Sequence, residues 1–175
     1  KSAFRRILRS GHAGSVLRLM NDLDLLGWFI PPFGELVSFF QHNVYHYFTA
    51  DEHTLIAIAN VERLAKEPGP LGEAYRGLPD REVIILTILL HDIAKPLGVA
   101  DHEVTGVEVA RRVLEDLDIP GLISPVGFLV RHHLVMEQTA FRRNVHDPAT
   151  IREFAARFDK PELLDYLYVL TYADL

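Results

Sequence analysis

Apolar residues recur at helical spacing through most of the chain, and no stretch of useful length alternates with period two. The pattern predicts an all-α protein with short connections, its contacts mostly helix against helix. A first helical segment runs from Phe4 through a leucine-rich stretch to Trp28 and stops at Pro31-Pro32. A second covers Phe33 to about His46, with Leu36, Val37, Phe39 and Phe40 apolar. Thr49-Ala50-Asp51-Glu52 has the form of a capping box, and the helix it opens continues to about Lys66. Pro68 to Gly77 is rich in proline and glycine and reads as a loop. Asp80 caps the next helix, which carries Ile84, Ile85, Ile88 and Leu89 toward His91 before Pro96 and Gly98 break it. Further helices are expected from Glu103 to Leu117, from Ser124-Pro125 to His133, from Asp147-Pro148, and from Pro161.

Length and composition sharpen this picture modestly. At 175 residues, 49% hydrophobic and 24% charged, the chain suits one domain, or one domain with a short extension, and buries a core without staples. It has no cysteine, which excludes disulfides and thiolate metal sites and fits a reducing cytoplasm. A formal charge of −6 argues against DNA or RNA as a partner, because non-specific binding needs a basic footprint. The longest apolar runs, such as Val83 to Leu90, are too short to cross a bilayer, and no signal peptide opens the sequence.

The chemistry lies in where the histidines and aspartates fall. His53 is one turn from Ile56 and Ala57; His91 is three after Ile88 and seven after Ile84, and Asp92 follows it directly. Asp174 is four after Leu170 and seven after Leu167. All four positions point inward on apolar helical faces. An unpaired buried carboxylate costs several kcal/mol, roughly, so something must compensate. One cation held by imidazoles and carboxylates solves the problem for all four. His102 and His132 are candidate ligands for a second ion, with Asp92 bridging the pair. Such mixed donors suit manganese, iron or zinc better than calcium, and magnesium is also compatible with one or two ions at this centre.

The ordered series His53, His91-Asp92, His102, His132, Asp174 resembles the H…HD…H…H…D signature of the HD-domain phosphohydrolases. The strings from Tyr45 to Leu55, Leu89 to Lys95, Val130 to Met136, Thr139 to Asn144 and Thr171 to Leu175 are similar to the HD domain of the PII uridylyltransferase/uridylyl-removing family. The segment from Met20 to Phe33 is similar to the connector that precedes that domain. Pro96 to Ala100 replaces a glycine-rich link, and Glu103 stands where that family commonly has serine.

The resemblance implies an all-α HD-domain bundle with a metal site in its core, residues 1–35 forming a helical connector and residues 36–175 the HD domain of a longer chain. It implies metal-dependent removal of UMP from a uridylylated PII protein in nitrogen regulation, in the cytoplasm, with nucleotidyltransferase and ACT domains elsewhere in the parent chain. Asp92 and Lys95 are then the candidate catalytic residues, Asp92 orienting the attacking water and Lys95 stabilising phosphate charge. His133, Arg142 and Arg143 are candidate substrate contacts, His133 being also readable as a further ligand or a surface residue. His46 and Tyr47 are candidate pocket residues, and Trp28 and Phe33 candidate core or interface residues. Two rival readings remain at this point: an HD phosphohydrolase acting on a free nucleotide or alarmone, and a non-catalytic module that binds metal or nucleotide.

Overall fold

The computed structural model describes residues 1–37, 39 and 49–175. Twelve α-helices, with no strand among the described residues, make an all-α bundle. They are α1 (Ser2–Arg9), α2 (Ala13–Asp22), α3 (Leu25–Phe29), α4 (Pro31–Gly34), α5 (Ala50–Arg63), α6 (Pro70–Gly77), α7 (Arg81–Leu90), α8 (His102–Asp116), α9 (Ile123–His132), α10 (Val135–Arg142), α11 (Pro148–Ala155) and α12 (Pro161–Asp174). No single described helix is long and apolar enough to cross a membrane.

The continuous helix expected from Phe4 to Trp28 is three helices. Gly11 (φ +74°) and Asp24 (φ +58°) adopt left-handed backbone, which an α-helix cannot continue through. Apolar periodicity survives these breaks because all three pieces bury a face in the same core. Phe4, Leu8, Leu17, Leu26 and Phe33 join the cluster that holds α5, α7 and α12. Phe33 is therefore core, whereas Trp28 is 80% exposed. The helix expected from Phe33 toward His46 starts instead at Pro31, whose fixed φ suits the first helical turn, and α4 ends at Gly34. Residues 35–37 continue as a turn instead of a helix, and the remainder of that expected helix, apart from Phe39 but including His42, His46 and Tyr47, lies outside the described residues.

The stretch read as a loop from Pro68 contains α6, with Pro70 at its start. Gly72 is required there: a Cβ at that position would stand 2.0 Å from the Glu67 carbonyl oxygen. Thr49 is the N-cap of α5, but its hydroxyl makes no capping bond. Asp80 and Asp147 do cap, accepting from the backbone N–H of Glu82 (2.8 Å) and Ala149 (2.9 Å). α9 begins at Ile123, so Ser124 falls inside the first turn.

The core helix is α7, whose residues from Glu82 to Leu90 are all buried. It delivers His91-Asp92 into the centre of the bundle, between α5, α9 and α12. α8 returns along α9, their close approach set by Gly106, where a Cβ would press on the Val130 side chain at 3.2 Å.

Candidate metal centre

Three elements meet at the C-terminal end of α7. His53 comes from the second turn of α5, His91 and Asp92 from the turn after α7, and Asp174 from the last turn of α12. Their ligand atoms lie within 4.8 Å of one another. Bonds of about 2.0–2.2 Å set opposite ligands about 4.4 Å apart at most, so little movement would let these four share one ion. His53 Nε2 and His91 Nε2 both face Asp174 Oδ1, at 2.9 and 3.1 Å.

A second group shares Asp92. Its ligand atoms, with those of His102 and His133, also lie within 4.8 Å of one another. The two imidazole Nε2 atoms are 3.4 Å apart, and they stand 3.4 Å (His102) and 3.8 Å (His133) from Asp92 Oδ1. The structure thus sets His133, not His132, against Asp92. The reason is helical phase. His133 follows Val126, Leu129 and Val130 by seven, four and three residues and so shares their buried face. His132 lies 100° away around the helix. It stacks on the Phe128 ring (4.4 Å between centroids), and its Nδ1–H donates to the Phe128 carbonyl at 2.8 Å. The periodicity used to select His53, His91 and Asp174 would have selected His133 as well.

The tautomers suit metal ligation. A carbonyl oxygen only accepts, so His91 Nδ1–H donates to Ile88 O (2.7 Å) and His133 Nδ1–H to Val130 O (2.8 Å). Both rings thereby direct Nε2 into the site. The strongest sign that a cation belongs here is Asp92. Both of its oxygens are buried and receive no well-directed hydrogen bond from the described residues. They are instead ringed by Lys95 Nζ (2.5 Å from Oδ2), His91 Nε2 (3.3 Å from Oδ2) and the two histidines of the second group. A buried carboxylate in that condition fits a cation on either side of it.

Electrostatics agree. Burial disfavours charge on Asp92, but His91, His102 and Lys95 outweigh it and hold the carboxyl well below its usual range. Asp174 is likewise held low against burial, by His91 and His53. Burial also opposes charge on His91, yet Asp92 and Asp174 raise its pKa well above the ordinary imidazole value. The proton they hold there takes the place of a cation, and metal uptake would release it. His133 is pushed down to about 4, by burial and then by the charge on His91, so it is neutral and ready to ligate.

The floor of the site, formed by His91, Asp92 and His133, is no more than 2% exposed. The rim, formed by His53, Asp174, His102 and Lys95, is partly open to solvent. Arg142 and Arg143 belong to neither ligand group. Arg142 is exposed at the end of α10, and Arg143 pairs with Glu153 of α11 at 2.8 Å.

Comparison with known proteins matches the description "HD domain" to residues 50–175. The chain is 39% identical over 97% of its length to a bifunctional uridylyltransferase/uridylyl-removing enzyme of Cereibacter sphaeroides. It is 42% identical over 91% of its length to one of Phenylobacterium zucineum, and 40% over 99% to one of Caulobacter vibrioides. The chain spans 18–19% of the length of these relatives.

Proposed function

The chain belongs to the HD-domain family, and on that premise we propose that it removes UMP from a uridylylated PII signalling protein by hydrolysing the phosphodiester bond. The coarser part of this reading, a metal-dependent HD phosphohydrolase, follows from the family and the donor set. One observation carries the chemistry: the two buried oxygens of Asp92, which receive no well-directed hydrogen bond from the described residues, at the junction of two histidine and aspartate groups. The substrate rests on the names of the relatives and on the strings Tyr45 to Leu55, Leu89 to Lys95 and Thr139 to Asn144.

Bound divalent cations would supply Lewis acidity to the phosphate and lower the pKa of a water at the site. His53, His91, Asp92 and Asp174 would hold one ion, and Asp92, His102 and His133 a second. The residues' own work is to fix these donors and leave the rim open to a phosphodiester. Asp92, at the junction of the two groups, orients the attacking water. Lys95, 2.5 Å from Asp92 and partly exposed, places a positive charge where phosphate oxygens approach. The leaving group is a tyrosine phenolate of the carrier, whose pKa near ~10 makes a strong general acid unnecessary. Arg142 and Arg143 grip the nucleotide or the carrier away from the reacting bond. The parent protein's nucleotidyltransferase and ACT domains would add UMP and sense glutamine.

Incubating the 175-residue chain and manganese with uridylylated PII, and separating products by mass, tests the reading. Slow release of UMP is expected, and Arg142→Ala with Arg143→Ala should mainly raise KM. Intact PII-UMP alongside rapid hydrolysis of a free nucleotide or alarmone would remove PII as substrate and leave only the phosphohydrolase.

A further inference from the structure

The histidines of the candidate centre are not all oriented in the same way. His91 and His133 sit at the ends of helices, where the carbonyl three residues earlier accepts their Nδ1–H. His102 has no such carbonyl. It is the first residue of α8, preceded by the irregular turn around Gly98, whose backbone is left-handed (φ +67°). What faces His102 Nδ1 is the carboxylate of the next residue, with Glu103 Oε2 at 4.0 Å.

That carboxylate is itself held from the other helix. Arg131 Nη1, on α9, donates to Glu103 Oε1 at 3.1 Å. Glu103 directly follows His102, and Arg131 lies two residues before His133. The bridge therefore ties α8 to α9 beside the two imidazoles whose Nε2 atoms are 3.4 Å apart. Glu103 is only 20% exposed, which limits the solvent screening of its charge on the imidazole.

We infer that Glu103, held by Arg131, is a positioning residue whose carboxylate stands behind the Nδ1 edge of His102 and keeps Nε2 turned to Asp92 and His133. The inference deepens the metal reading above and rests on it. Glu103 touches no substrate in this role. It acts through His102, as a carboxylate behind a ligating imidazole does, and it sets the affinity of the Asp92–His102–His133 group without touching the other.

The test is manganese titration of the metal-free 175-residue chain by calorimetry, with proton–nitrogen NMR of the histidine rings in the chain loaded with diamagnetic zinc. The wild type should take up two ions of distinguishable affinity and protect the His102 Nδ1–H from solvent exchange. Glu103→Leu should weaken one ion about 10–100-fold and speed that exchange, leaving the other ion and the helical circular dichroism unchanged. Arg131→Met should do the same to a smaller extent. Glu103→Gln should recover part of the loss, because its amide oxygen can still face Nδ1–H, which a merely structural role does not predict. Equal affinities and unchanged exchange in Glu103→Leu would overturn the role of Glu103 and leave the phosphohydrolase reading intact. Uptake of one ion by the wild type would overturn it too. A wild type that takes up no ion would instead remove the metal reading on which it rests.

Discussion

At the N-terminal end of α7, the buried carboxylate of Glu82 accepts hydrogen bonds from Arg5 Nε and Nη2 (2.7 and 2.8 Å) and from Arg9 Nε (2.9 Å). At the other end of the same helix, the buried carboxylate of Asp92 accepts none with good geometry from the described residues. Both carboxyls are held in the charged form against the cost of burial. Glu82 is satisfied by fixed guanidinium donors, which close its coordination completely. Asp92 is surrounded by imidazole nitrogens that serve as ligands only when another cation is present, and by one lysine. Buried charge is structural where donors saturate it and chemical where they leave it open. One of each stands at the two ends of α7, and the helix's continuous apolar run separates them.

Replacing Asp92 should produce the largest effect. Asp92→Asn keeps the shape and removes the charge, so turnover should fall to the level of the metal-free protein while the helical spectrum is preserved. Full activity with unchanged metal content would show that the centre is misassigned.

Removing the donors at the other end should cost stability instead of chemistry. Arg5→Met with Arg9→Met leaves Glu82 buried and unpaired, a loss of about 3–5 kcal/mol. Urea unfolding should show it, with the ion count of the folded protein unchanged. A loss below about 1 kcal/mol would mean that the pair contributes no more than a surface bridge, and the contrast between the two ends would collapse.

Acid should separate the ends more finely. Burial raises the pKa of Glu82, but Arg5 and Arg9 outweigh it, and the net shift is downward from 4.5. A carboxyl with a depressed folded pKa stabilises the fold above its unfolded value, and that contribution is lost as pH falls from 4.5 through the folded pKa. Urea midpoints of the metal-free protein should drop over this range. In Glu82→Gln that part of the slope should be missing; an identical slope would assign the acid sensitivity to other groups.

The smallest effect tests the neighbouring histidines. His132→Ala should lose its stacking on Phe128, about 0.5–1.5 kcal/mol, and its bond to the Phe128 carbonyl, and keep every bound ion. His133→Ala should lose the ion held with Asp92 and His102. Loss of an ion in His132→Ala would return that residue to the ligand set.

Only local or periodic features were readable along the chain. Helical spacing gave the all-α class, and the same spacing placed His53, His91 and Asp174 on buried faces, because side-chain direction along a helix depends only on residue number. Ordered motifs pointed to the HD-domain family. The breaks at Gly11 and Asp24 were not legible, since apolar periodicity continues across them while the backbone turns left-handed. Tertiary structure alone decided which residues meet across long separations. Glu82 finds Arg5 and Arg9 more than 70 positions away, and Glu103 finds Arg131 28 away, on helices whose packing no local pattern encodes. The choice of His133 over His132 falls between these cases. Its phase was readable along α9, but its meeting with Asp92 and His102 required the close approach of α8 and α9 that Gly106 permits. Periodicity fixes the direction of a side chain within its own helix; only the packing of helices fixes what it faces.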